Sequence, residues 1–315
     1  MKNIKQKGSI VLLNTGQSGW FQYDLSRPPI GSGAMGTVYL GHAYGRPHSR
    51  VAIKQVVDRI ARIPSVRQRA RQEANMAFRH PNLVEMLGCC EEPSGKGPMF
   101  IISNYVMGIN IDQFVEKTFG GMQDRARRIC KCMLPVLDAL DYLHSRGIIH
   151  LDIKPSNIMV ENDSNVRLMD LGIAYTREYI DVSSGGMMGT PGYAAPEQYI
   201  EPGATELNIN KTTDVYEAGA TLYDLLAGHK VEFDPDTNVL VPIPDVPKPI
   251  MDVVTRSLEY EQSARYQSAG DFKRALIAAL NTPVHKPVSK LVIILSIIAA
   301  VLIIAIILLL LLGQR

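Results

Sequence analysis

The spacing of apolar positions changes character along the chain. Residues 37–40 and 50–57 (RVAIKQVV) are dense in β-branched side chains and predict strands, and residues 99–106 return to that character. Between them, residues 65–79 are rich in Arg, Gln and Ala and predict a helix. From residue 122 apolar side chains fall at helical spacing (Ile129, Met133, Val136, Leu140, Leu143), and Gly147 is placed as a C-terminal stop. Pro135 inside this stretch predicts a kink or a late start. Helical patterns dominate afterwards, over residues 213–226 and 269–280. The expectation is an α+β chain with a small strand-rich part ahead of a larger helical part. Two proline-rich patches interrupt the pattern: residues 235–249 predict an irregular surface loop, and residues 281–290 (NTPVHKPVSK) an extended linker.

Beyond that linker, residues 291–312 form a 22-residue run whose one non-apolar member is Ser296. A helix of this length extends about 33 Å, slightly more than the hydrocarbon core of a bilayer, so the run predicts a transmembrane helix. Lys286 and Lys290 precede it, and Gly313, Gln314 and Arg315 follow. The expectation is a single-pass C-terminal anchor with no external sensor domain. The first 20 residues hold an apolar stretch of only about five, too short for a signal-peptide core, so the bulk of the chain is expected in the cytoplasm. Small residues in the run (Ser296, Ala299, Ala300, Ala305) leave a homodimer open.

Composition narrows the function classes. With 315 residues, 46% hydrophobic and 20% charged, the chain can bury one large core or two small ones, and disorder is excluded for its bulk. A net charge of +2 gives no basic footprint, so no nucleic-acid partner is expected. Cys89, Cys90, Cys130 and Cys132 lack zinc-site spacing and are expected as reduced, packed thiols. His42, His48, His229 and His285 lack metal-ligand spacing as well, and Met107, Met122, Met133, Met159 and Met169 are expected as core fillers.

Gly31, Gly33 and Gly36 form G-x-G-x-x-G, which lets a backbone approach phosphates closely but also opens dinucleotide-binding folds. A dinucleotide fold needs a helix after the glycines, and here a strand follows. Lys54 lies in a predicted strand (VAIK) 18 residues past Gly36. Residues 150–157 (HLDIKPSN) match H-R-D-x-x-x-x-N at three of its four defined positions. Asp170-Leu171-Gly172 follows 13 residues after Asn157; then come Gly189-Thr190-Pro191, Ala195-Pro196-Glu197, Asp214 and Arg265. In this order the strings resemble a protein kinase over about residues 24–281. GTPGYAAPEQ and RYQSA look most like the bacterial eukaryotic-like Ser/Thr protein kinases, and Lys154 marks the Ser/Thr-directed branch.

The resemblance implies a bilobal protein-kinase-like fold, with a kinase domain (24–281) dividing near residue 106 after an N-terminal extension (residues 1–23); the apolar pattern adds a linker (282–290), a transmembrane helix (291–312) and a tail (313–315). It implies ATP as phosphoryl donor, Mg²⁺ with Mn²⁺ as a substitute, and protein Ser/Thr hydroxyls as acceptors, autophosphorylation included. Gly31, Ser32, Gly33, Ala34 and Gly36 would cover the phosphates, with Val38 and Ala52 completing the nucleotide site and Lys54 on the α- and β-phosphates. Tyr105 and Val106 would form the hinge and Ser103 the back of the adenine pocket. Asn157 and Asp170 would hold the metal, Asp152 would accept the hydroxyl proton, and Lys154 would neutralise the γ-phosphate. Thr190 is expected to contact Asp152 and Lys154. Glu73 is the one acidic residue between Arg59 and His80, hence the partner expected for Lys54, although it lies about two residues closer to His80 than the pattern suggests. Leu151 stands where most kinases carry arginine, which predicts weak dependence on phosphorylation of Thr176, Tyr179, Ser183 or Ser184. The alternative is a membrane-tethered pseudokinase scaffold; Leu151 and the spacing of Glu73 favour it, whereas Lys54, Asp152, Asn157 and Asp170 oppose it.

Overall fold

The structure, a computed structural model, describes residues 3–16, 18–33, 35–76, 78–122, 124–162, 165–170, 186–200 and 208–283, together with Ile298. Met1–Leu280 forms one compact unit and Asn281–Arg315 a second. The first unit opens with strands β1 (Ile4–Lys7), β2 (Ile10–Asn14), β3 (Trp20–Asp24), β4 (Gly31–Gly33), β5 (Gly36–Ala43) and β6 (Arg46–Val56). Helices α1 (Asp58–Ala61) and α2 (Pro64–Met76) and strands β7 (Met86–Glu91) and β8 (Met99–Asn104) complete the N-lobe. One antiparallel sheet joins the strands in the order β1-β2-β3-β5-β6-β8-β7, with β4 on β5.

Alternation along these strands builds two apolar layers. Val11, Leu13, Phe21, Tyr23, Val51, Ile53, Phe100 and Ile102 form one, and Met99 and Ile101 of β8 point into the other, against Ile60, Val66 and Ala70 of the helices. Residues 4–24 therefore share a core with the rest of the lobe. The Asn3 side chain donates to the Glu91 carbonyl at 2.9 Å and the Ile4 amide to Glu92 at 3.3 Å, which bridges the two ends of the sheet. On α2, Arg67 is buried and bonds to Glu91, Ala61 and Gly97, and Arg71 reaches Glu91 at 2.7 Å.

The C-lobe follows with β9 (Gly108–Asn110), α3 (Ile111–Phe119), α4 (Arg125–His144), β10 (Ile158–Glu161), β11 (Val166–Leu168), β12 (Gly186–Met187), β13 (Tyr199–Ile200), α5 (Lys211–Ala227), α6 (Lys248–Ser257) and α7 (Ala269–Asn281). Pro135 neither starts nor ends α4, because eight buried apolar side chains from Ile129 to Leu143 hold the helix in place around it. Helix α5 is buried continuously over residues 212–223. Asn210 caps its first turn by accepting the Thr212 amide at 2.8 Å, and Gly228, at φ 80°, closes its end. Residues 228–247 carry only the bridge Phe233–Leu240, and the last two residues of the proline-rich patch open α6, with Pro249 in its first turn. All four cysteines are free; burial pushes Cys89, Cys90 and Cys130 up to about 12 and Cys132 to about 11. Among the described residues no helix is long and apolar enough to cross a membrane, and residues 291–312 lie outside them apart from Ile298.

Candidate active site

The glycine motif forms the hairpin β4–β5, in the register Gly31–Val38, Ser32–Thr37 and Gly33–Gly36. Gly31, Ser32 and Gly33 are exposed, and a Cβ added at Gly33 would meet nothing within 4 Å. At Gly36 the situation reverses: a Cβ would strike the Gln55 carbonyl, so only glycine lets β5 lie this close to β6. That closeness sets Val38 opposite Lys54, while Ala52 pairs with Ser103 on β8. Tyr105, half-buried, and Val106, buried, link β8 to β9 and so connect the lobes. Ala34 and the Glu73 side chain lie outside the described residues.

Lys54 Nζ donates to Asp170 Oδ2 at 3.1 Å, which joins the N-lobe sheet to the segment after β11. Asp170 adopts φ 50°, an uncommon conformation for a residue with a side chain, and its side chain is 47% exposed. Partial burial raises its carboxyl, but the charge and hydrogen bond of Lys54, with His150 and Lys154 behind, outweigh it and leave the pKa below the ordinary carboxylate value.

Residues 150–157 form a loop held from below by α5. Asp214 accepts the His150 amide at 2.8 Å, the Leu151 amide at 2.9 Å and a His144 ring nitrogen at 2.7 Å. These bonds fix Leu151, 4% exposed, at φ 65°. His150 Nδ1 accepts the Asp152 amide at 3.3 Å, so Nε2 carries the proton and donates to the Met169 carbonyl at 2.9 Å. Burial pushes this imidazole below its ordinary pKa, partly opposed by Asp214 and Asp152.

The Asp152 carboxylate, 5% exposed, is oriented from both oxygens. Oδ1 accepts from Lys154 at 2.9 Å and from the Thr190 hydroxyl at 2.7 Å; Oδ2 accepts the Asn157 amide at 2.8 Å. Lys154 also donates to Thr190 at 2.7 Å, as expected from the sequence. Asn157 spends its N–H groups on Asp152, and its backbone carbonyl accepts the Met169 amide at 2.8 Å, one residue before Asp170. Lys54, Asp170, Asn157, Asp152 and Lys154, scattered over 117 positions of sequence, thus form one connected cluster. Among the described residues no group of three His, Cys, Asp or Glu could hold a metal alone. A carboxylate and an amide oxygen suit Mg²⁺, which commonly takes one or two protein oxygens plus phosphate oxygens and water, so the donor set fits that ion in the presence of a nucleotide.

Residues 26–269 match the family described as protein kinase domain. The chain belongs to the protein kinase family. It is 32% identical over 270 residues to the serine/threonine-protein kinase PknB of Mycolicibacterium smegmatis, covering 79% of this chain and 41% of that protein. The Mycobacterium tuberculosis PknB is 31% identical over 274 residues, covering 80% and 42% respectively. The chain therefore spans about two fifths of the length of these relatives. The crystal structure of the Mycobacterium tuberculosis PknI kinase domain superimposes with a TM-score of 0.64 at 26% identity, over 82% of this chain and 96% of that one.

In this kinase domain the segment from Thr190 to Gln198 is anchored at two points. Glu197 accepts two bonds from Arg265, at 2.7 and 2.8 Å, and one from Thr213 at 2.8 Å. Arg265 is fully buried, and its five N–H groups all find oxygen: two on Glu197 and three on the carbonyls of Glu259, Thr212 and Tyr260. The second anchor, Gln198 with Glu217, was not singled out from the sequence. Its signal was present, since Asp214, Glu217 and Thr221 recur at i, i+3 and i+7 in a helix with no exposed face, where polar groups must find partners.

Proposed function

We infer that this chain transfers the γ-phosphoryl group of ATP to Ser or Thr hydroxyls of proteins, its own included, while anchored to a membrane by residues 291–312. The observation that carries the reading is the connected cluster of Lys54, Asp170, Asn157, Asp152 and Lys154 beneath an open glycine hairpin. Phosphoryl transfer is governed by positioning and electrostatics rather than covalent chemistry. Asp152, fixed through both oxygens, is the group available to take the proton of an acceptor hydroxyl. Lys154, held beside it, balances negative charge on the transferred group, and Lys54 does the same for the phosphates under the hairpin. Mg²⁺, when bound through Asn157 and Asp170, supplies neutralisation of phosphate charge. The PknB relatives, named as serine/threonine-protein kinases, support the choice of acceptor.

The 22-residue apolar run supports the anchor, and Lys286 and Lys290 ahead of it support a cytoplasmic kinase domain. Its small residues support pairing between copies within the membrane. Phosphosite mapping of the full chain after incubation with labelled ATP, alongside Asp152→Asn, tests the chemistry. Label on Ser and Thr that vanishes in the variant is the expected result. Equal labelling of both proteins, or label on Tyr alone, overturns it. Deleting residues 291–312 should move the protein from the membrane to the soluble fraction; unchanged partition would remove the anchor.

A further inference from the structure

We propose that Glu217 is a positioning residue coupling the catalytic loop to the substrate-side segment through the relay Ile153–Glu217–Gln198–Ala195. The inference rests on the kinase reading and adds a residue to it.

One face of α5 grips the catalytic loop. Asp214 takes the amides of His150 and Leu151; Glu217 Oε2 accepts the Ile153 amide at 2.8 Å, and the Thr221 hydroxyl donates to the Ile153 carbonyl at 3.0 Å. Both backbone groups of Ile153 are thereby fixed, and Ile153 is the residue between Asp152 and Lys154. The other oxygen of Glu217 accepts the Gln198 side-chain amide at 2.8 Å, and Gln198 Oε1 accepts the Ala195 amide at 2.6 Å. Through its backbone carbonyl Gln198 also holds the Met188 amide at 2.9 Å, two residues from Thr190. A Cβ at Gly189 would meet Gln198 Nε2 at 2.8 Å, so the segment lies tight against the relay. The same carboxyl therefore sets the height of Asp152 and of the strip that presents the acceptor.

Polarity makes the choice of residue specific. The amides of Ile153 and Ala195 are donors only. Gln198 must turn its oxygen to Ala195 and its NH₂ to position 217, and the group at 217 must then accept at both ends. Two acceptor oxygens on one short side chain mean a carboxyl; glutamine satisfies one end, and serine or alanine cannot span both. Glu217 is 1% exposed and Gln198 fully buried, so water cannot substitute. Burial, and then the Asp214 charge, push the Glu217 carboxyl well above its ordinary pKa, against the donors from Ile153 and Gln198. Only those two hydrogen bonds offset the cost of a carboxyl there.

The test is a polarity swap in the full-length protein. Glu217→Gln sets an NH₂ against an NH₂, and Gln198→Glu sets two carboxyls face to face. Each should lower kcat/KM for a protein substrate about tenfold, with KM for ATP unchanged. The double variant Glu217→Gln with Gln198→Glu rebuilds every bond: the introduced amide accepts from Ile153 and donates to the introduced carboxylate, which accepts from Ala195. It should recover to within about threefold of the parent. Hydrogen exchange at the Ile153 and Ala195 amides should speed up in each single variant and slow again in the double. A double variant no better than the worse single, in exchange and in turnover, overturns the proposal, as does a Glu217→Gln protein with unchanged exchange and turnover. A parent that transfers no phosphate while the exchange pattern holds would sink the kinase reading and leave the relay standing.

Discussion

Replacing Arg265 with alanine tests how the substrate-side segment is tied to the C-lobe. The wild-type guanidinium is fully buried, Glu197 is 11% exposed, and all five Arg265 donors are paired. Arg265→Ala leaves a buried carboxylate without its cation, and breaking such a pair costs about 3–5 kcal/mol. At roughly 2 °C per kcal/mol for a unit of this size, the thermal midpoint should drop by roughly 8 °C at pH 7.5. Burial raises the Glu197 carboxyl, but the hydrogen bonds and charge of Arg265, with a backbone amide and Thr213, together outweigh it and hold the pKa below the ordinary 4.5. A carboxyl depressed in the folded state contributes stability above its unfolded pKa and loses it as pH falls. The gap between parent and variant, followed by circular dichroism, should therefore narrow as pH approaches 4. Removing the orphaned charge as well, in Arg265→Ala with Glu197→Gln, should restore part of the loss. A variant within 2 °C of the parent, or a gap independent of pH, would refute the reasoning.

Gly36→Ala drives a methyl into the Gln55 carbonyl and should lower the unfolding midpoint by an amount equivalent to about 1–3 kcal/mol, whereas Gly33→Ala, facing open space, should barely change it; equal shifts in chemical denaturation would contradict this. Replacing Thr176, Tyr179, Ser183 and Ser184 with alanine should leave most kinase activity intact, because the buried apolar Leu151 offers no cation to a phosphate; these four residues lie outside the described ones, and a collapse of turnover would overturn the expectation. Deleting residues 1–23 removes Val11, Leu13, Phe21 and Tyr23, each at most 5% exposed and worth about 1.5–3 kcal/mol, which together rival the stability of a whole domain. That truncation should abolish cooperative unfolding of the N-lobe, and a truncated protein melting like the parent would show the strands to be an appendage.

The deletion marks where sequence reasoning stopped short. Strands β2 and β3 alternate over only five residues each, and a two-stranded pairing is not stable alone; what orders them is the apolar face of β6 and β8, far away in sequence. Helices α3 and α6 were missed for a related reason. They are 9 and 10 residues long, and α6 starts on Lys248-Pro249, so the proline that reads as a loop signal is the first-turn proline of a helix. Long periodic stretches such as α4 and α7 were legible because a full apolar face is written in the local sequence.

The site divides along the same line. Lys54, Asp152, Asn157 and Asp170 are legible because the chemistry of each resides in its own side chain, and a short string names it. Glu217, Gln198 and Arg67 act by meeting groups that the sequence does not place beside them, so the spacing of Glu217 marks a polar position on α5 but not its partners. Arg67 sits in a helix whose composition reads as solvated, yet it is buried because the Ala61 and Gly97 carbonyls and Glu91 surround it. The residue Arg67 grips, Glu91, also takes Arg71, and its carbonyl takes Asn3. One β7 residue therefore ties the N-terminal hairpin, the sheet edge and α2 together, just as one α5 carboxyl ties the catalytic loop to the substrate side. In each lobe a charged side chain that no motif names holds separate elements together. Substitution of Glu217 should therefore alter turnover without touching any residue that a motif would flag.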